Sequence, residues 1–372
     1  MKCQRWPRSA KNISSLPRLG LVGGTIDTMA VDSNTNNSTL TDQNFGSNIT
    51  SKRLGLVGGT IDTLAVDSNT NNSTLTDQVT NPTALTNDTA AICAIQKGSL
   101  TFIDEWIDYN LAIGFQKIYI YDNSEDFELQ SWYEKQNQTR VDLKHFPGQR
   151  KQKPAYHDCI ARIKGEDPKG PMHKWLAFID LDEFIVLKQH VNILELLEER
   201  AVGHNVGGLA LNWYMFDYNN QTKYKPIPLT KRFQTRNKEI NQHVKVILRT
   251  DLIGKGGTII NPHAYKYTNS SIATVDTTGK RLEREPWFNI DGPSDVAVIH
   301  HYYTKSLEEY VSRCERGRAD IIQRSDEDVA CRSEEKILEE WERNGQHSVL
   351  DISAWEILKH RVPKYAKYDD LH

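Results

Sequence analysis

The 372-residue chain lacks an excess of charge of either sign. Its 46 lysines and arginines stand against 49 aspartates and glutamates, which gives a formal net charge of −3. A chain this close to neutrality offers no global electrostatic attraction for nucleic acid or for an anionic membrane surface. We therefore expect no nucleic-acid partner, and other partners have to be inferred from local sites.

Cysteine pairs and long apolar runs are also missing from the sequence. The five cysteines form no CxxC pair, so neither a zinc site nor a dense disulfide framework is indicated, and their redox state stays open. No run approaches the roughly eighteen apolar residues of a membrane span, and the basic start is not followed by an apolar stretch. The sequence also contains no P-loop and no nucleophilic triad. We expect no targeting signal or membrane anchor in this chain.

The first ninety residues contain a tandem repeat. Residues 18–43 return at 53–78 with one difference, Met29 against Leu64. Each unit consists mostly of Asn, Thr, Ser, Asp and Gly, and so has too little apolar surface to offset a backbone ordering cost of about 1–2 kcal/mol per residue. We predict that residues 1–89 are a disordered tail whose removal leaves the stability of the remainder unchanged.

N-glycosylation sequons crowd this tail and recur beyond it. They are informative only if the chain enters the secretory pathway, since an Asn-, Ser- and Thr-rich tail produces such triplets by chance. They lie at Asn12, Asn36, Asn37, Asn48, Asn71, Asn72, Asn87, Asn137, Asn220 and Asn269.

From Ala90 onward, strand and helix signals alternate along the sequence. Residues 90–95 read as a buried strand, a helix follows and stops at Gly114, and the order continues as β-α-β-α-β up to KWLAFIDLDEFIVL, which we interpret as one strand. This alternation is typical of a layered α/β domain with a largely parallel sheet. We predict such a domain over residues 90–330, followed by a helical, solvated extension over residues 331–372.

Two aspartates, Asp180 and Asp182, end the most apolar strand of the predicted sheet. Two residues apart in a strand, they would leave the same face with Cα atoms about 6.5 Å apart, close enough to share a divalent cation. Carboxylates at the end of a buried strand cost several kcal/mol unless they are paired or metal-bound, and this sheet edge is where open α/β sheets bind ligands. Because like charges repel, we expect neutralisation of either aspartate to leave stability unchanged or slightly raised. A similar match at Asp326 and Asp328 lies in a charged segment and reads as a solvated helix face.

Polar residues also end two other predicted strands. Asp122 opens a polar run that fits either a turn held by local hydrogen bonds or an acceptor for the base or ribose of a nucleotide. His300 and His301 are adjacent in a late strand, so they face opposite sides of the sheet and at most one of them can serve a site at this edge.

Four segments in order resemble glycosyltransferase family 92 and related family-2-like domains, from about Ile92 to Asp320. They are FIDEWIDYNLAIGFQKIYIYDNSED, QKPAYHDC, KWLAFIDLDEF and HHYYTKSLEEYVSRCERGRAD. The resemblance implies a Rossmann-like fold of the GT-A type. It also implies transfer of a sugar from a UDP-sugar donor to a glycan acceptor, with galactose as the sugar in several members.

The resemblance further implies roles for individual residues. Asp180 and Asp182 match the metal-binding pair for Mn²⁺ or Mg²⁺, and His301 matches a late histidine that completes the metal site. Lys97, Asp122 and Gln152 fall in segments that line the donor pocket. The chemistry agrees, because a divalent cation neutralises charge on the leaving diphosphate, and Lys97 or Lys305 can add to that clamp. An inverting transfer also needs a base, and Glu183 is the nearest carboxylate, with a structural or sugar-binding role as the alternative.

Two questions stay open at this level. A non-catalytic carbohydrate-binding or scaffold protein on the same fold is the main alternative to a transferase, with nucleotide-sugar hydrolysis or nucleotidyl transfer as others. Mn²⁺-dependent UDP binding would favour the enzyme. The resemblance suggests a Golgi or secretory-pathway location, in the lumen or on the membrane, although membrane association would require an anchor missing from this sequence.

Overall fold

The computed structural model of this protein describes residues 89–136, 139–165, 172–283, 286–316, 334–343 and 349–371. The predicted tail up to residue 88, eight of the sequons and the Asp326–Asp328 match lie outside these segments. The described residues include most of the predicted α/β domain.

The chain alternates strands and helices in its first half and is richer in strands in its second. The strands are β1 (Ala90–Gln96), β2 (Lys117–Asp122), β3 (Val141–His145), β4 (Trp175–Phe178), β5 (Glu183–Leu187), β6 (Val206–Met215), β7 (Thr235–Arg236), β8 (Asn241–Arg249), β9 (Ile253–Asn261), β10 (Ala264–Tyr267), β11 (Ala273–Val275), β12 (Ala297–His301) and β13 (Val349–Leu350). The helices are α1 (Ile103–Ala112), α2 (Gln130–Lys135), α3 (Gln152–Lys164), α4 (Ile193–Arg200), α5 (Leu229–Arg232), α6 (Leu307–Arg316), α7 (Glu334–Arg343) and α8 (Ser353–Arg361). Short 3₁₀ turns follow at Thr250–Leu252 and Pro363–Tyr368.

One large sheet organises these elements, with strand order β3-β2-β1-β4-β8-β6-β12-β5 and β11 beside β6. Strands β3, β2, β1 and β4 are mutually parallel, as predicted for the Rossmann-like half. The second half is mixed, because β8 runs antiparallel to both β4 and β6, and β5 runs antiparallel to β12. The α/β fold class is therefore confirmed.

The segment predicted as a single strand at residues 174–187 is interrupted by a turn. Strand β4 ends at Phe178 and β5 begins at Glu183, and the backbone N–H of Glu183 donates to the carbonyl of Asp180 over 3.0 Å. The two strands are far apart in the sheet, since β4 pairs with β1 and β8 whereas β5 pairs with β12. The one-strand interpretation was wrong, and Asp180 and Asp182 lie in the turn.

The sheet is buried on both faces. Alternate residues of β1 point to opposite sides, with Ile92 and Ala94 in one apolar layer and Ala91, Cys93 and Ile95 in the other. Helices α1, α4 and α8 cover the first layer, and α3 with the β9–β10 hairpin covers the second. Strands buried on both faces read as continuous apolar runs, which is why the first half of this sheet was visible in the sequence.

The C-terminal segment belongs to the core rather than being solvated as predicted. Trp355 and Leu358 of α8 are 1% and 0% exposed and pack in the same apolar layer as α1. A smaller apolar cluster joins α6 to α7 through Leu307, Tyr310, Ile337 and Trp341. No helix in the described segments is both long enough and apolar enough to cross a membrane.

Candidate active site

A large pocket lies at the sheet edge where β1, β2 and β4 end. It encloses about 1250 Å³, and its wall includes the Asp180–Asp182 turn. In parallel sheets this edge collects the loops that follow each strand, which is why ligand sites form there. Four of the other residues predicted for a site also line it: Lys97, Gln152, His301 and Lys305.

Each aspartate of the turn is paired with its own buried lysine. Lys245 of β8 is 1% exposed and its Nζ lies 2.8 Å from Asp180 Oδ2. Lys305, which follows β12, is 7% exposed and its Nζ lies 2.7 Å from Asp182 Oδ2. Each carboxylate thus has its own cation, which argues against the expectation that the two repel one another and that their neutralisation leaves stability unchanged.

The electrostatics of the pair follow from burial and from these partners. Burial alone would raise the pKa of Asp182, but Lys305 and His301 together hold it well below its usual value. Burial also works to lower the pKa of Lys245, yet Asp180 and Glu183 raise it above its usual value. Burial lowers the pKa of Lys305, although Asp182 opposes this effect.

Glu183 lies beneath the turn and is absent from the pocket wall. Its side chain is fully buried, and Oε2 accepts a hydrogen bond from the backbone N–H of Asp180 over 3.0 Å and lies 3.5 Å from Lys245 Nζ. Burial raises the pKa of this carboxyl well above its usual value. A base must reach the acceptor hydroxyl, so this position argues against the predicted catalytic role and favours the structural alternative, a brace for the turn.

His301 and His300 face opposite sides of β12, as their adjacency requires. The Nε2 atom of His301 lies 3.6 Å from Asp182 Oδ1, and its Nδ1 atom is buried without a hydrogen-bond partner. His300 packs instead on Phe216, with ring centroids 4.5 Å apart, and approaches Asp351 of the C-terminal segment. Of the two histidines, His301 is therefore the one that faces the aspartate turn.

Of the residues predicted for donor binding, Asp122 is the one that the structure places outside the pocket. It is fully buried, and its Oδ1 accepts hydrogen bonds from Gln96 Nε2 and from the backbone N–H of Ser124, while Oδ2 accepts from the backbone N–H of Leu129. All of these contacts hold the loop after β2, so they fit the turn alternative and argue against the predicted donor-binding role. Asn123, the next residue, does line the pocket.

Arg313 and Arg316 of α6 are pocket residues that sequence reasoning missed. Arg316 donates to the backbone carbonyls of Lys97 and Gly98, which fastens α6 to the end of β1. Arg313 stacks on Tyr303 with its guanidinium 3.4 Å from the ring centroid. The signal was their spacing of three residues in a helix, SRCERGR, which puts both side chains on one face.

A ring of aromatic side chains on β6, β8, β12 and the β9–β10 turn was also missed. Trp213 is surrounded by the rings of His243, His263 and His301, at centroid distances of 5.1, 5.3 and 4.5 Å. His263 lies in the turn and the other two histidines lie on separate strands, so no local pattern could have grouped them.

Several of these side chains are suitable ligands for a divalent cation. Carboxylate oxygens and an imidazole nitrogen are ligands that Mn²⁺ accepts, and Asp182 and His301 already face one another. Among the described segments, no three His, Cys, Asp or Glu side chains are placed together so as to hold a metal ion. A full protein cage is not needed, since Mg²⁺ in phosphate sites is commonly bound by one or two carboxylates together with substrate phosphates. The donor set therefore fits such a cation.

Residues 99–283 match the family model of glycosyltransferase family 92. Among curated proteins, the chain is similar to a glycosyltransferase family 92 protein of Oryza sativa subsp. japonica, with 24% identity over 223 residues, which are 59% of this chain and 30% of the relative. A family 92 protein of Ricinus communis matches in two stretches, at 26% over 34% of this chain and 31% over 26% of it, which cover 22% and 16% of that protein. Each of these matches thus covers less than a third of the relative's length.

Among solved structures, the chain is similar to HddC from Yersinia pseudotuberculosis, with a TM-score of 0.27 and 11% identity, covering 61% of this chain and 98% of that one. A likeness this weak carries no argument about the function of the pocket.

Proposed function

We propose that this protein, whose residues 99–283 match the glycosyltransferase family 92 model, is a transferase. It would move a hexose from a UDP-sugar to a glycan acceptor by metal-dependent, inverting displacement. Galactose is the sugar we propose first. The observation that carries the proposal is the pocket in which Asp180 and Asp182 meet a group of basic side chains at the carboxyl edge of the sheet.

Basic side chains line the pocket beside the aspartate turn. Lys97 follows β1, Arg316 is bonded to the carbonyls of Lys97 and Gly98, and Lys305 lies 2.7 Å from Asp182. Arg313, one turn before Arg316, completes the group in the pocket wall. Several cations around one concave surface favour a polyphosphate ligand, and guanidinium groups match phosphate geometry. This supports binding of the donor diphosphate here.

Asp180, Asp182 and His301 are the residues that would hold Mn²⁺ or Mg²⁺. The cation supplies stabilisation of the negative charge that develops on the leaving diphosphate. The chain's own groups add to it: Lys305 sits beside Asp182, and Gln152 Nε2, 3.5 Å from Asp180 Oδ1, helps to orient the turn. Glu183 fixes the backbone of the turn from below.

The test is calorimetric titration of UDP with and without Mn²⁺, together with transfer from UDP-galactose, UDP-glucose and UDP-N-acetylglucosamine. Variants Asp180→Asn and Asp182→Asn should lose Mn²⁺-dependent UDP binding, with transfer reduced about a thousandfold, which corresponds to about 4 kcal/mol of barrier. Asp251→Asn is the matched control, because Asp251 is exposed and pairs with Arg249 away from the pocket.

Folding of each variant is checked by circular dichroism, and Lys97→Ala, which removes a half-buried pocket cation without breaking an aspartate pair, serves as a second probe of the same site. Metal-independent UDP binding that survives in all three site variants would contradict the proposal. Glycan binding without nucleotide would instead support the non-catalytic alternative.

A secretory-pathway location is part of the same proposal and rests on family resemblance. Two of the sequons that fall in the described segments, Asn220 and Asn269, are exposed, which is compatible with glycosylation there. A shift in electrophoretic mobility on treatment with an endoglycosidase would test it.

A further inference from the structure

The aspartate turn divides the pocket into two ends of different chemistry. In the sheet, β1 and β2 lie on one side of β4, and β8, β6 and β12 lie on the other. Among the basic residues of the donor site, Lys97 and Arg316 meet at the end of β1, and Lys305, which follows β12, reaches Asp182. On the β8 and β6 side, aromatic, histidine and amide side chains line the pocket together with Pro262 and Met215.

Trp213 is the centre of this second end. The ring of His243 stacks on it, at 5.1 Å between centroids and 14° between planes, while His263 and His301 meet it edge-on. The indole is 8% exposed and lines the pocket, and its Nε1–H is buried without a hydrogen-bond partner. A buried donor left unpaired costs free energy, which a ligand oxygen would recover.

The two histidines beside Trp213 supply acceptors rather than charge. His243 Nδ1 donates to Asn241 Oδ1 over 2.8 Å, and His263 Nδ1 donates to the carbonyl of Val244 over 2.9 Å. In each neutral ring, Nε2 is then a hydrogen-bond acceptor. Burial lowers the pKa of both histidines, to about 3 for His263, so they are neutral at physiological pH.

Trp287 borders the same end on a loop that is fixed to the sheet. The carbonyl of Trp287 accepts from the backbone N–H of Val244, and Phe288 forms a bridge with His243. Asn212 and Asn289 exchange hydrogen bonds below this loop, and a side chain at Gly292 would collide with Asn212. The half-buried indole of Trp287 is therefore held in place before any ligand arrives.

We propose that Trp213, His243, His263 and Trp287 form the acceptor subsite, and that the acceptor residue it takes is an uncharged pyranose. Aromatic rings pack on the apolar C–H faces of a sugar, and the indole N–H and imidazole nitrogens pair with its hydroxyls. An acidic sugar would bring a carboxylate to imidazole nitrogens that are themselves hydrogen-bond acceptors, where it would stay unpaired. The assignment rests on the proposed function, because it takes the donor to occupy the basic end.

The experiment measures saccharide binding by NMR titration of the full chain, with UDP and Mn²⁺ present and again without them. The probes are methyl β-D-galactopyranoside, methyl β-D-glucopyranoside and the sodium salt of methyl β-D-glucopyranosiduronate. The variants are Trp287→Ala and His243→Ala, with Trp132→Ala as the matched control, because Trp132 is a half-buried tryptophan of α2 outside the pocket.

We expect the wild type to bind at least one of the two neutral glycosides and not the uronate. Trp287→Ala and His243→Ala should weaken that binding about tenfold or more, while UDP affinity stays within about twofold of wild type and Trp132→Ala behaves like wild type. Unchanged saccharide binding in both subsite variants, uronate binding as tight as that of the glycosides, or no saccharide binding at all would overturn the assignment. Failure of the wild type to bind UDP would instead contradict the proposed function. In that case, the saccharide titration without nucleotide tests the subsite independently.

Discussion

Because each aspartate of the site pairs with a buried lysine, the aspartates affect the stability of the fold as well as the proposed activity. Lys245 and Lys305 are almost inaccessible, and each has one aspartate of the turn as its nearest carboxylate. Removing one partner of a buried pair leaves an uncompensated charge, whereas removing both leaves none. A loss of activity in an aspartate variant therefore has to be separated from a loss of stability.

Asp182→Asn is expected to lower the free energy of unfolding by about 2–4 kcal/mol, because Lys305 is left buried without its carboxylate. The double variant Asp182→Asn with Lys305→Met should recover most of that loss, since no charge then remains to be buried. Urea unfolding of the two single variants and the double variant measures this coupling.

The exposed pair of Glu356 and Lys359 in α8 provides the control for this cycle. Glu356→Gln should change stability by less than about 1 kcal/mol, as is usual for surface pairs. Additive effects of Asp182→Asn and Lys305→Met would show that the pair does not act as a unit.

His173, before β4, gives a pH dependence far from the pocket. Its Nδ1 lies 2.8 Å from Thr89 Oγ1 and its Nε2 lies 3.1 Å from Tyr119 Oη, and it is 1% exposed. Burial, with a smaller effect of Lys117, lowers its pKa to about 4. A depressed pKa means that the unfolded chain binds the proton first, so the stabilising contribution is complete above about pH 6.5 and declines as pH falls towards 4.

Between pH 7 and pH 5, wild type should therefore lose about 1–2 kcal/mol more stability than His173→Gln, which has no proton to take up. Denaturant unfolding at the two pH values measures the difference within each protein, so any constant cost of the substitution cancels. His204→Gln, at an exposed position, should track wild type. An equal loss in His173→Gln would mean that other groups govern the acid response.

The sequence was sufficient to find the aspartate turn and His301, and insufficient to find what surrounds them. Asp180 and Asp182 stand out because they follow an apolar run. Strand alternation says only that one of His300 and His301 can face the site, and the resemblance to the family selected His301. Lys245 lies in the predicted strand HVKVILR. The alternation of side chains along a strand assigns it to one face of the sheet but does not tell whether that face is buried. Its partner is 65 residues away, and such a long-range pair leaves no local pattern.

At the level of elements, positions were easier to predict than partners. The strand predicted at residues 90–95 and the helix predicted to stop at Gly114 correspond to β1 and α1, because apolar periodicity is a local property. The β4–β5 break escaped notice, since Ile179 and Leu181 are buried within the turn and continue the apolar alternation across it. The antiparallel insertion of β8 between β4 and β6 depends on contacts across dozens of residues, which periodicity does not encode.

The C-terminal helix α8 was misread because its charged residues dominate its sequence. Trp355 is 1% exposed and lies in the main apolar layer with residues of α1. Replacing it with alanine should cost about 3–5 kcal/mol, the usual penalty for removing a buried tryptophan. Leu350→Ala, at a leucine that is 67% exposed in the same segment, should cost little.

Thermal unfolding of Trp355→Ala and Leu350→Ala, compared with wild type, measures this difference directly. If Trp355→Ala melts at the wild-type temperature, the C-terminal segment is an appendage, as its composition suggested. The predicted large loss would make residues 349–371 part of the folding unit.

At the level of the whole molecule, a near-neutral chain gathers basic side chains in its pocket. Lys97, Lys305, Arg313, Arg316 and Arg343 line the wall, and Trp213 and His243 line it on β6 and β8. A formal net charge of −3 therefore says little about ligands, because the relevant field is local. The two proposed substrates should consequently respond differently to ionic strength.

UDP affinity is expected to fall several-fold when the salt concentration rises from about 0.05 M to about 0.5 M, because the Debye length shrinks from above 10 Å to a few ångström. Binding of a neutral methyl glycoside should change by less than about twofold over the same range, since it involves no net charge. Arg313→Gln should weaken UDP binding and flatten its salt dependence, whereas Arg140→Gln, at an exposed position outside the pocket, should leave both unchanged. Titration calorimetry at the two salt concentrations measures each affinity. Salt sensitivity that is equal for UDP and the glycoside would show that the pocket does not separate a charged donor end from a neutral acceptor end.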